Sequence, residues 1–319
     1  MRDIGGYWNN ADDAGATDAA QDGAGPRHNS LAMLLPYLER GAIYEIFDRG
    51  IAPWDANATQ PGSVPMYVCP SDASNSRQPG HSPNASRANM ALSMGDVTSC
   101  RNNNRGLFTW ATSGGPGTWS AYRHSSRYEA ERRRLIRPKD MGAVSDGTSN
   151  TIFCSEFVIG NTSNGRGSRE IKGGAYHYGN EAFATGMRAN VGMCVNNAID
   201  RAAGQLVGAA SEVGRGARYF DRWDQCAYFN TLAPPNAPVC VRNNNERDHW
   251  GVLSPQSRHS GGVNAGLVDG SVRFITDSID TNNLGGSGVF GGHPEHSGRS
   301  IYGTWGALGS INGGESATL

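Results

Sequence analysis

The sequence predicts an α+β fold: a short N-terminal helical part against an antiparallel β-sheet, with long loop-rich insertions. Three observations predict it. Apolar residues at 31, 34, 35, 38, 42, 43, 46 and 47 recur with helical spacing. Val263, Ala265 and Leu267, then Val272 and Phe274, alternate with their neighbours on either side of Asp269-Gly270, the pattern of a hairpin. The 44 glycines and a charged fraction of only 18% belong to a chain of short strands and many turns.

Residues 1–27 are Gly/Ala/Asp-rich without periodicity and read as an irregular N-terminal arm. The remainder, 28–319, reads as a single domain. Its first element, "HNSLAMLLPYLERGAIYEIFD" (28–48), has Asn29 or Ser30 as N-cap. Pro36 inside it calls for a kink or a late first turn, and Gly41 divides it into two short helices. "SVPMYVCPSD" (63–72) reads as a strand entering a turn at Pro70. A β-rich run from Thr151 to Ile159 follows Asp146-Gly147. Residues from about 160 to 250 form a Gly/Asn-rich insertion, and asparagine runs at 102–104, 196–197 and 243–245 mark loops. For 262–275 the Asp-Gly pair predicts a type I′ turn, which needs positive φ at both central residues. Asp269 and Gly270 are thus turn residues first.

Lys+Arg of 28 against Asp+Glu of 29 lacks the basic excess of a general nucleic-acid binder. The local run "ERRRLIRPKD" (131–140) reads as the solvated face of a short helix or loop. No stretch approaches the length of a transmembrane helix. Six cysteines without a C-x-x-C pair, in a loop-rich chain, predict at least two disulfides and an oxidising compartment. The favoured pairs are Cys69–Cys100 and one joining Cys194 or Cys226 to Cys240. Buried thiols are the competing reading.

The chemistry is sparse. There is no G-x-S-x-G and no cysteine in a nucleophile context, so the chain is not expected to be an enzyme. "HPEH" (His293 and His296) reads as an exposed polar loop in preference to a metal pair. "SDGTSN" (145–150) supplies Asp146, Thr148, Ser149 and Asn150, with Glu156 one strand away. These are the oxygen donors Ca²⁺ takes, although turns use the same residues to bond their own backbone. His259 has two readings: a structural role, or a ligand or acid–base group beside Asp269. Nine intervening residues at about 3.3 Å of rise each favour the first, because they set the pair at opposite ends of a strand.

"RHSGGVNAGLVDGSVRFITDSID" (258–280) resembles the H-x9-D-G signature of the DUF1559 family of planctomycete-type bacteria. "LLPYLERGAIYEIFD", "MYVCPSD", "SDGTSNTIFCSE", "YFNTLAPPNAPVC" and the closing "IYGTWGALGSINGGE" resemble other blocks of that family, in order. The resemblance implies an exported, pilin-like or pseudopilin-like subunit of the cell surface or extracellular space. It would assemble with copies of itself into a filament or coat, through strand edges or exchange of the arm 1–27. Members usually begin with a prepilin-like leader and an apolar helix. That helix is absent from this sequence, and membrane attachment is expected only through it. A solute- or glycan-binding module, using Trp110, Trp119, Trp223 or Trp250, is the alternative.

Overall fold

The computed structural model describes residues 30–48, 64–73, 87–98, 105–108, 139–160, 162–163, 166–167, 169–177, 190–207, 215–216, 219, 224–241, 251–282, 284 and 298–315. The arm 1–27, Asn29, the asparagine runs at 102–104 and 243–245, most of the basic run (131–138), Cys100, His293, His296 and the four tryptophans lie outside these residues.

The N-terminal segment is helical, in three pieces. Ser30–Leu34 is α-helical, Leu35–Leu38 is a 3₁₀ turn, and Gly41–Asp48 is a second α-helix. Pro36 has no N–H to donate, so the α ladder fails there and the chain tightens. Glu39 then takes the left-handed conformation at φ 58°, and the amide of Arg40 bonds the carbonyl of Leu35. The division expected at Gly41 therefore falls two residues earlier. Leu31, Ala32 and Leu35 are fully buried.

The strand expected over 63–72 does not form. Pro65 opens a 3₁₀ turn over Pro65–Tyr67, and its fixed φ suits a turn start better than a ladder. The Tyr67 hydroxyl reaches the carbonyl of Leu31 at 2.8 Å, and its ring meets Tyr219 edge-on at 5.3 Å. Asn196 and Asn197, read as a loop, instead end the helix Gly192–Asn197.

The strands in chain order are β1 (Met90–Ser93), β2 (Ile152–Glu156), β3 (Thr162–Ser163), β4 (Arg166–Gly167), β5 (Tyr176–His177), β6 (Ile199–Asp200), β7 (Gln205–Leu206), β8 (Tyr228–Phe229), β9 (Cys240–Val241), β10 (Gly251–Val252), β11 (Gly262–Leu267) and β12 (Val272–Thr276). Among the described residues the main sheet runs β12-β11-β2-β1-β8, with β12 and β8 as its outer strands. It is antiparallel except that β8 joins β1 in parallel, which departs from the purely antiparallel sheet expected. A smaller sheet runs β10-β9-β5, and β3-β4 and β6-β7 are two-stranded ribbons. Part of the stretch read as an insertion, β8, thus belongs to the main sheet.

Strand alternation gives the main sheet two covered faces. Leu92 and Met90 point to the side where Leu31, Leu35, Tyr67, Tyr228 and Leu253 cluster around the N-terminal helical segment. Ala91, Val263, Ala265 and Ile275 point the other way, onto Trp305 and Leu308 of the helix Gly303–Gly309. A register shift at Gly266/Leu267 lets Ile152 join this second face although Cys154 packs on the first. Trp305 is fully buried and donates Nε1–H to the carbonyl of Ala233 at 2.8 Å. Side chains at Gly306 and Gly309 would run into Ser300 and Thr231, so these glycines permit the close approach. The result is a mixed α+β fold with few helices and several small sheets.

The hairpin forms as the alternation predicts, with β11 and β12 paired from Gly262↔Thr276 to Gly266↔Val272. Its turn is not type I′. Gly270 has φ 87°, Asp269 does not have positive φ, and the Gly270 amide bonds the carbonyl of Leu267 at 2.8 Å. This is a type I turn closed by a left-handed glycine, which needs positive φ at one residue only.

Candidate functional site

Cys194 and Cys240 form a disulfide with Cα atoms 5.9 Å apart, tying the helix Gly192–Asn197 to β9. Cys194, and not Cys226, is therefore the partner of Cys240. The pairing Cys69–Cys100 involves a residue outside those described. A disulfide in a loop-rich chain is the usage of oxidising compartments. Among the described residues no helix is long and apolar enough to cross a membrane.

The sequence-predicted site residues separate into two places. Asp146 is buried and accepts the amides of Gly313 (2.6 Å) and Gly314 (2.9 Å), docking the C-terminal segment. Around it the local turn bonds expected of such a block are made: Asn150 Nδ2 to the carbonyl of Asp146 and Thr151 Oγ1 to that of Gly147. The carbonyl of Thr148 accepts the Asp269 amide, and that of Thr151 accepts the Val268 amide, so the block also cradles the hairpin turn. Asp269 itself accepts Ser271 N–H at 2.9 Å and Ser271 O–H at 2.6 Å, which hold its carboxyl below the usual range. Glu156 does not join Asp146; it lies at the far end of β2, beside His259.

There a junction forms that the sequence reading did not assemble. Cys69, Glu156 and His259 offer ligand atoms that all lie within 4.8 Å of one another. His259 Nε2 sits 3.4 Å from Glu156 Oε2, and its own amide bonds Ser257 Oγ. The other carboxylate oxygen, Glu156 Oε1, accepts the Asn264 amide at 2.5 Å and its side-chain N–H at 3.1 Å. His259 is thus a tie between the segment before the hairpin and β2, and it meets Glu156 rather than Asp269.

Asn89, at the start of β1, organises the floor. Its Oδ1 accepts the Cys69 amide at 2.7 Å, and its Nδ2 donates to Asp72 Oδ2 at 2.7 Å and to the Phe157 carbonyl at 2.9 Å. Asp72 also accepts the Ile159 amide and pairs with Arg258 at 3.6 Å, while Arg258 reaches Glu170 at the same distance. Between these groups lies a small cavity bordered by Cys69, Asp72, Glu156, Arg258 and His259. It has room for about one water, far less than the roughly 300–1,000 Å³ of a small-molecule pocket. "CPSD", the glutamate ending "SDGTSNTIFCSE" and the opening of "RHSGG" all converge here. Asn89 carried no sequence signal.

A second feature is the margin of the main sheet, which no further strand joins among the described residues. β12 is the terminal strand, with Val272 70% and Phe274 49% exposed. The Phe274 ring lies against Gly262, which has no room for a side chain.

A family model described as "Protein of unknown function (DUF1559)", short name SBP_bac_10, matches residues 6–282, and the chain belongs to that family. No curated protein and no solved structure matches it.

Proposed function

We propose that this chain is an exported, pseudopilin-like structural subunit that joins a second copy of itself edge to edge through β12. The observation that carries this reading is the self-complementary margin of that strand. The bonds Leu267 N–H to Ser271 O and Asp277 N–H to Gly261 O set the phase of the hairpin ladder. With that phase Ser271, Arg273 and Ile275 bond inward to β11, and the peptide groups of Val272, Phe274 and Thr276 point outward. A two-fold axis at Phe274 pairs Phe274 with Phe274 and Val272 with Thr276 of the second copy, using all three outward units. The exposed apolar side chains on those residues then cover one another. On the opposite face Arg273 lies diagonal to Asp277 of the other copy, twice by symmetry, within reach of a long side chain.

An edge strand with exposed Val and Phe and a single charge is what a monomer ordinarily avoids. The disulfide supports export, and the N-terminal helical segment packed on the sheet supports the pilin-like description. The cavity at Glu156 and His259 is too small to favour solute binding. Hydrogen exchange at rising protein concentration tests the proposal. The amides of Val272, Phe274 and Thr276 should gain protection with concentration while those of Arg273 and Ile275 stay protected throughout. Exchange at the first three that does not depend on concentration would overturn it.

A further inference from the structure

We propose that Cys69, Glu156 and His259 form a three-ligand site for a borderline divalent metal ion, Zn²⁺ being the type case, with a fourth position open to the cavity. The donor set is sulfur, imidazole nitrogen and one carboxylate, a combination that selects Zn²⁺ over the hard cations Ca²⁺ and Mg²⁺. With metal–ligand bonds of about 2.0–2.3 Å, tetrahedral ligands stand roughly 3.3–3.7 Å apart. His259 Nε2 and Glu156 Oε2 already stand 3.4 Å apart, and the widest separation in the group is within 4.8 Å. Closing the set to tetrahedral separations therefore asks for movements of about 1 Å.

The supporting bonds are in place. Asn264 holds Glu156 Oε1 and turns Oε2 toward the centre, while Asn89 fixes the amide of Cys69. Half-exposure of His259, at 38% of its side chain, gives the ion a way in. Three protein ligands with an open fourth position leave a site for water or for a donor from a partner. None of the three ligands is on β12, so the site does not depend on the assembly reading.

The test uses the full chain, unreduced and stripped by a chelator, titrated with Zn²⁺ alone and separately with Co²⁺. One Zn²⁺ per chain is expected, together with a sulfur-to-cobalt charge-transfer band that Cys69→Ser abolishes. Cys69→Ser and His259→Ala should each weaken Zn²⁺ binding by more than about 100-fold, beyond what loss of an outer-shell partner does. Glu156→Gln keeps an acceptor for the Asn264 amide, so metal-free melting should stay near wild type while Zn²⁺ affinity drops at least about ten-fold. Four results would each overturn the proposal: no stoichiometric Zn²⁺, a Co²⁺ spectrum without the sulfur band, variants that bind as the wild type does, or a peptide map placing Cys69 in a disulfide. Val272→Lys, on the same margin but opposite Gly266, should bind Zn²⁺ normally, which separates failure here from failure of the edge contact.

Discussion

Replacing Asn89 with alanine removes the side chain that joins three segments under the candidate site. Its amide orientation is fixed by chemistry: the oxygen faces the Cys69 N–H, and the nitrogen faces a carboxylate and a carbonyl. Truncation orphans the Cys69 amide and the Phe157 carbonyl, and takes one donor from Asp72. Asp72 keeps the Ile159 amide and Arg258, so it loses least. A buried group left unsatisfied costs about 1–3 kcal/mol, so the two orphans together cost about 2–6 kcal/mol. That is a large part of a typical stability of about 5–15 kcal/mol. At about 2 °C per kcal/mol for a chain of this size, the melting temperature should drop by about 4–12 °C. Asn89→Asp gives a sharper version, because it sets a second carboxylate oxygen 2.7 Å from Asp72 Oδ2. One of the pair must then hold a proton in the folded state, so its pKa rises on folding and the variant loses stability as pH climbs through the carboxylate range. Denaturant melts of both variants at several pH values measure this. Asn89→Ala within about 1 kcal/mol of wild type would refute the reasoning.

Two further outcomes follow from the cysteines. Burial pushes the Cys154 thiol up to about 11, with a backbone hydrogen bond at Gly266 pulling only partly the other way. Its thiolate fraction at neutral to mildly alkaline pH is then about 100-fold below that of an ordinary thiol. Alkylation of the Cys154 peptide should accelerate about ten-fold per pH unit until about pH 11, and levelling near 9 would contradict the burial. The same shift makes the fold lose stability as pH rises from about 9 to about 11, since the unfolded chain releases that proton first. Separately, Cys194→Ser opens a loop spanning 46 residues, for which the chain-entropy relation gives a loss of about 4 kcal/mol. A denaturation midpoint insensitive to that change would show that the bridge constrains little.

What the sequence made legible was local. The hairpin could be read because alternation and an Asp-Gly pair act over a dozen neighbouring residues. The turn type could not, since one left-handed glycine satisfies the same residues. Pro36 announces the break in the helix, whereas the apolar run around Pro65 reads as a strand and is a 3₁₀ turn because proline starts it. β8 is only two residues long and joins β1 in parallel, so no periodicity could reveal it. The junction of Cys69, Glu156 and His259 was hidden for a different reason. Its members come from three blocks far apart in the chain, brought together by the β1–β2–β11 pairings and by Asn89, whose neighbours in sequence have no pattern. Asp146 looked like a cation ligand because the oxygens that bind Ca²⁺ are also the ones that dock a glycine-rich segment.

The edge contact through β12 is tested most directly by sedimentation velocity at micromolar concentration in physiological salt, with and without Ca²⁺, on the wild type and on Phe274→Lys. The substitution charges the residue on the proposed axis, 49% exposed in the subunit, so folding is expected to survive while the contact does not. The expected result is dimers or larger species for the wild type and a monomer for the variant. A wild-type chain that stays a clean monomer, or a variant that associates as the wild type does, would contradict assembly through this strand.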